Sequence, residues 1–158
     1  ILKIATVVTN SNLEVVAELP SIVVHQDDAL LDGMDEWNTT HHGKTGLIDA
    51  VRRVGIPEAD AEAQTLAFVK QHVDEGASPL CGNTIWQDRR FLVRYMPSVE
   101  AYLHYRNIDV STIKELAARW RPEVFGQVRK EGTHRAMDDI HESIAELRSY
   151  RDAFFKIP

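Results

Sequence analysis

Apolar positions are dense at the start of the chain and then settle into helical spacing. Ile1 to Thr9 is a nearly continuous apolar run that predicts a strand, with Val7 and Val8 supporting it. Asn10-Ser11-Asn12 signals a turn, and Leu13 to Val24 predicts a return strand, bulged or broken near Pro20. The pair reads as a hairpin. Helical patterns follow at about Leu30 to Thr39 and Gly46 to Arg53, separated by the polar group His41-His42-Gly43-Lys44. Pro57 to His72 has an apolar side made by Ala61, Leu66, Phe68 and Val69 and predicts an amphipathic helix.

After a loop at Gly76 to Pro79, Leu80 to Ile85 predicts a short buried strand, and Asp88 to Tyr95 a helix that stops before Pro97. Tyr105 to Val110 predicts another strand. Ser111 or Thr112 would cap the next helix, Thr112 with Glu115 fitting a capping box, and that helix ends near Trp120-Arg121-Pro122. Val124 to Gly132 reads as a polar loop and Thr133 to Phe155 as the last long helix. A hairpin followed by alternating helices and short strands predicts an α/β domain with a mixed sheet flanked by helices.

Composition narrows this picture. At 158 residues the chain reads as one domain, residues 1–158, with no repeat or linker. No apolar run approaches a membrane span. The lone Cys81 excludes an internal disulfide and fits a reducing, cytoplasmic compartment; its apolar neighbours Pro79 and Leu80 predict a buried, inert thiol. A net charge of -6 argues against binding long nucleic acid by charge alone, yet leaves a short substrate with few phosphates open. Acidic sites can also recruit divalent cations that attract phosphate.

Candidate chemistry lies late in the chain. At about 100° per residue, Ala136, Ile140, Ile144, Leu147 and Phe154 share one face of the last helix, with Asp138 opposite and Asp139 on the edge beside Ser143 and Tyr150. A carboxylate bordering a core is costly unless paired or metal-bound, which favours Asp139 over Asp138 as the functional acid; the bland reading is an acid favoured by the helix dipole. His134 reads either as a proton acceptor or as a solvated loop histidine. Asp88 reads either as a ligand or as a helix cap, and Asp109 as structural. There is no Gly-rich phosphate loop, no Cys/His zinc spacing and no nucleophile elbow.

Three ordered segments bring these residues together: Cys81-Gly82-Asn83-Thr84-Ile85-Trp86-Gln87-Asp88-Arg89-Arg90-Phe91-Leu92, His104 to Leu116, and Gly132 to Ile140. With Ile4 to Thr9 and His42 to Leu47, they span essentially the whole chain. Together they resemble oligoribonuclease, a family of 3'-to-5' exonucleases of the DEDDh group. The resemblance implies a ribonuclease H-like fold, a homodimer, and hydrolysis of short single-stranded RNA to mononucleotides with two divalent cations, Mg²⁺ or Mn²⁺. Carried over by position, Asp88 and Asp139 look like metal-ligating carboxylates, His134 like the base that takes the proton from water, and Asn83 like a support for the loop before Asp88. Trp37 matches an aromatic near the bound bases, with His42 close by. Arg106, Ser111 and Lys114, joined by Thr84, match a polar cluster that holds a phosphate, and Tyr105 would reach across the dimer.

The chain departs from that pattern at its start. The family's Asp-x-Glu motif, on a central strand just before the Ile1 segment, is absent, and Lys3 stands where an acid is expected. The resemblance therefore predicts a first strand supplied by residues before Ile1, and no activity for the 158 residues alone. The competing expectation is a non-catalytic domain that binds short RNA or another protein through the same cleft.

Overall fold

The computed structural model describes residues 1–125 and 136–155, and for His41 the backbone alone. The hairpin forms as expected: β1 (Lys3–Thr9) pairs antiparallel with β2 (Val15–Val23). Its register shifts between Ile4↔Ile22 and Thr6↔Leu19, where Pro20 cannot donate to the ladder. The expected single mixed sheet is instead two small ones, because β3 (Pro79–Gly82) pairs in parallel with β4 (His104–Asp109) and no described strand joins them to the hairpin.

Helices cover both sheets. The stretch expected as one helix over Leu30 to Thr39 splits into α1 (Asp28–Asp32) and α2 (Glu36–Lys44). Gly33 ends the first. Asp35 starts the second by accepting the backbone N–H of Asn38 at 2.7 Å, a bond that also lowers the pKa of its carboxyl. His41 and His42 therefore lie within α2 rather than in a connection. Next come α3 (Leu47–Val54) and α4 (Glu58–His72). The buried strip of α4 is Ala61, Thr65 and Val69. Thr65 is tolerated there because its hydroxyl donates to the Ala61 carbonyl at 2.8 Å.

The remaining helices are α5 (Ile85–Tyr95), α6 (Pro97–Tyr102), α7 (Val110–Trp120), α8 (Pro122–Phe125) and α9 (Ala136–Ala153). The sequence pattern did not anticipate α6 and α8; each is one or two turns opened by a proline, too short to show periodicity. Val24, Ala61, Leu92, Met96 and Val99 form one core, sealed by Ile4, Ile22 and Leu80 from the strands. Val110, Ala117, Val124 and Tyr150 form a second, between α7, α8 and α9. Helix α9 packs on β1, β2, β3 and α7, so it contacts both sheets.

Gly55 is fixed by close approach. A Cβ there would stand 2.5 Å from the Val51 carbonyl oxygen and 2.7 Å from the His25 backbone nitrogen, which itself donates to Ile56 at 2.8 Å. None of these backbone atoms can swing aside. Gly55→Ala should therefore cost about 2 kcal/mol of stability; an unchanged urea midpoint would contradict this packing.

Candidate active site

The site is built from an elbow between β3 and α5. Thr84 there has φ 52°, a left-handed conformation that a β-branched residue seldom adopts. Such strain, of order 1–3 kcal/mol, persists only where surroundings over-determine it. Here the Thr84 backbone N–H donates to Asp109 Oδ1 at 2.9 Å and Ser111 Oγ at 2.9 Å, and the Thr84 and Ser111 hydroxyls lie 3.1 Å apart. Asp109 also accepts the Ser111 N–H at 3.0 Å, so it caps α7, in place of the expected Thr112 and Glu115 box. Helix α7 starts at Val110, three residues earlier than that box requires.

The elbow launches α5, and Asp88 falls inside its first turn, not at its cap. Asp88 keeps solvent access, yet burial around its carboxyl raises its pKa, and the negative charge of Asp109 adds to the rise. Helix α9 presents Asp139 in its own first turn. Both Asp138 and Asp139 are half-buried and both engage neighbours, so the expected contrast between a solvated Asp138 and a bordering Asp139 does not appear; the partly packed start of α9 shields both. Two turns on from Asp139, Glu146 Oε2 accepts from Asn83 Nδ2 at 2.8 Å, which ties the elbow to α9.

The structure thus brings Asn83, Thr84 and Ser111 into one constellation with Asp88 five residues after Asn83. Lys114 is half-buried one turn beyond Ser111 on α7. Tyr105 and Arg106 are exposed on β4, with the Arg106 guanidinium 5.4 Å from the Tyr105 ring centroid. Trp37, 68% exposed, and His42 lie on α2, whose main packing partner is α3, away from these contacts. His134 lies outside the described residues. Sequence reasoning treated Asp109 as structural and passed over Trp86 and Glu146. Trp86, 48% exposed, lines a shallow cavity of about 380 Å³ with Thr84, Asp109 and Ser111. An aromatic on the polar side of α5 was the available signal for it. Cys81 is exposed, because the strand turns its side chain outward; crowding by neighbouring atoms still raises its thiol pKa, the direction of an unreactive thiol.

The acidic first turn of α5 rises from a hydroxyl-lined elbow, and α9, whose own first turn is acidic, is tied to that elbow through Glu146; these groups suit metal-assisted phosphate chemistry, and the chain's relatives are exonucleases. The RNase_T exonuclease family matches residues 1–147. Proteins named oligoribonuclease are similar over nearly the whole chain: that of Aromatoleum aromaticum is 62% identical over 99% of this chain and 86% of its own length. That of Halorhodospira halophila is 60% identical over 100% and 86%, and that of Pseudomonas aeruginosa 58% over 99% and 87%. The chain belongs to the oligoribonuclease family, and with it to the ribonuclease H-like fold class. These relatives carry an enzyme's name, which does not favour a purely binding role.

This family depends on divalent metal ions. Among the described residues no three His, Cys, Asp or Glu side chains are grouped to hold one. The carboxylates present nevertheless fit the chemistry of a hard cation, since Mg²⁺ is commonly held by one or two carboxylates together with water and substrate phosphate. Asp88 fits best: a cation beside it would offset both the burial and the Asp109 charge that disfavour its ionised form. A raised folded pKa gives stability that is full below the ordinary value of 3.8 and lost as pH rises through the folded pKa. Asp88→Asn should therefore melt higher than the wild type without metal at pH 7, and gain nothing when Mg²⁺ is added. A lower metal-free melting temperature would contradict the assignment.

Proposed function

We propose that this protein is a 3'-to-5' exoribonuclease that hydrolyses short single-stranded RNA, down to dinucleotides, to mononucleotides with Mg²⁺ or Mn²⁺. The observation that carries this reading is the match, at about 60% identity over essentially the whole chain, to proteins named oligoribonuclease. Asp88 and Asp139 would hold two cations. Bound cations would neutralise phosphate charge and make water a stronger acid at the scissile bond. His134, outside the described residues, accepts the proton of the attacking water, a task suited to a neutral imidazole near pH 7. Asn83 holds the loop before Asp88.

The Thr84 and Ser111 hydroxyls, with Arg106 and Lys114, grip the phosphate at the far end of the substrate. A site closed there favours short RNA on a protein of net charge -6. Trp37 stacks on bases without regard to sequence, with His42 beside it. Residues 1–158 all belong to one exonuclease domain. The protein works as a cytoplasmic homodimer in which Tyr105 of one copy reaches the substrate of the other. In support, Trp86, Phe91 and Val93 on α5, and Tyr105 and Ile108 on β4, expose apolar surface that a second copy would cover. No described helix is long and apolar enough to cross a membrane.

The test is a 5'-labelled tetranucleotide incubated with the full encoded protein. Stepwise shortening from the 3' end with Mg²⁺ or Mn²⁺, abolished by chelation, is the expected result. Internal cuts, or tight metal-independent binding without cleavage, would refute it.

A further inference from the structure

Glu146 is a costly residue to find where it is. It is 2% exposed, one of two buried polar residues among those described, and packing alone would be better served by an apolar side chain. Both of its carboxyl oxygens are engaged: Oε2 accepts from Asn83 at 2.8 Å, and Oε1 accepts from the Tyr150 hydroxyl at 3.3 Å. Tyr150 is itself fully buried, and its phenol is pushed up to about 12, chiefly by loss of hydration and then by the charge of Glu146, so it remains a donor at any physiological pH.

The bond to Asn83 crosses 63 residues of chain. Asn83 and Thr84 are neighbours tied to different helices, Asn83 to α9 and Thr84 to the start of α7. That pair of ties fixes the elbow from which α5 rises, and Asp88 is one turn along α5. On α9, Asp139, Ser143, Glu146 and Tyr150 fall on one strip at about 100° per residue, and the Ser143 hydroxyl donates back to the Asp139 carbonyl at 2.8 Å. Asn83 Oδ1 is buried and has no hydrogen-bond partner among the described residues. That loss is accepted while the amide's N–H is aimed at Glu146.

We propose that Glu146 is a positioning residue: through Asn83 it sets the spacing between the first turn of α5, which carries Asp88, and the first turn of α9, which carries Asp139, and so tunes divalent-cation binding. The proposal rests on the metal-dependent reading above. A shift of the elbow against α9 would change the separation of the two carboxylates, and errors of that kind, near 1 Å, can cost about 100-fold in rate.

The test uses the full encoded protein and Glu146→Ala, Glu146→Gln, Asn83→Ala and the double alanine variant. Three readouts apply: Mn²⁺ affinity by calorimetry, amide exchange over Thr84 to Asp88 without metal, and kcat and KM for a dinucleotide. Glu146→Ala should weaken Mn²⁺ binding about tenfold, lower kcat more than it raises KM, and speed exchange in that segment. Asn83→Ala should do the same, and the double variant no more than either, because both break one link. Glu146→Gln keeps an acceptor for Asn83 and should stay within about twofold of wild type. A folded Glu146→Ala with unchanged Mn²⁺ affinity and unchanged exchange overturns the proposal, as does a Gln variant as impaired as Ala. Should Glu146→Ala fail to fold, the half-buried Asn83 carries the same test. Failure of the functional reading is distinguishable, since then Asp139→Ala would leave metal binding and turnover intact whatever happens at Glu146.

Discussion

Asp139→Ala is expected to lose dinucleotide hydrolysis by on the order of 10³-fold while the protein stays folded. A cation-held phosphate is stabilised by several kcal/mol as charge develops, and about 4 kcal/mol corresponds to that factor. The side chain is half-buried in the first turn of α9, so truncation opens no core cavity. The change should appear in kcat, in Mn²⁺ affinity and in the loss of metal-induced stabilisation, with the unfolding transition in chelator left within about 1 kcal/mol of wild type. Asp138→Ala, on the neighbouring position, is the control; equal losses from both would mean that the start of α9 was damaged as a whole. Full activity in Asp139→Ala removes the residue from the mechanism.

The largest expected effect on stability comes from Arg89. Its side chain is 13% exposed, and its guanidinium donates to Glu100 Oε1 at 3.0 Å and to the His104 carbonyl at 2.7 Å, so one side chain clamps α5, α6 and β4. Glu100 is 26% exposed and would be left without this partner. Removing one member of a largely buried pair costs far more than the pair contributes, and here a carbonyl is orphaned too. Arg89→Met should lose about 3 kcal/mol, roughly 10 °C in Tm for a domain of this size. Replacing Glu100 by methionine in the same protein should recover part of the loss, because no uncompensated charge then remains. A loss below about 1 kcal/mol in urea unfolding would show that the clamp is dispensable.

Much of the fold was legible locally. The hairpin with its irregularity at Pro20, the helix over Glu58–His72, the helix before Pro97 and the last helix all announced themselves by periodicity and by turn or breaker residues. The shortest elements did not, because α6 and α8 have too few residues for a period to emerge. Capping was misjudged at α7. Thr112 and Glu115 satisfy a local rule, but Asp109 already serves the Ser111 N–H and, from 25 residues away, the Thr84 N–H as well. Asp109 therefore looked merely structural in sequence, although it also raises the pKa of Asp88 across the site.

The residues of the candidate site were legible as chemistry and not as geometry. Ordered motifs around Asp88, Ser111 and Asp139 were enough to identify the family and its class of reaction. Periodicity reports which face of a helix is apolar, and it even put Asp139 on one strip with Ser143 and Tyr150. It carries no information on what a buried polar group meets. The sequence alone thus determined most of the longer elements, the family and its class of reaction, and it offered candidate acids, because those depend on local spacing and residue type. The tertiary structure alone decided that Glu146 is buried against Asn83 and Tyr150, that Thr84 is held in a strained turn by Asp109 and Ser111, and that Arg89 clamps three elements. The Asn83–Glu146 bond, the Thr84 bonds and the Arg89 clamp join groups well separated in the chain, and the Asn83–Glu146 bond and the clamp draw strength from an exclusion of water that only packing can produce.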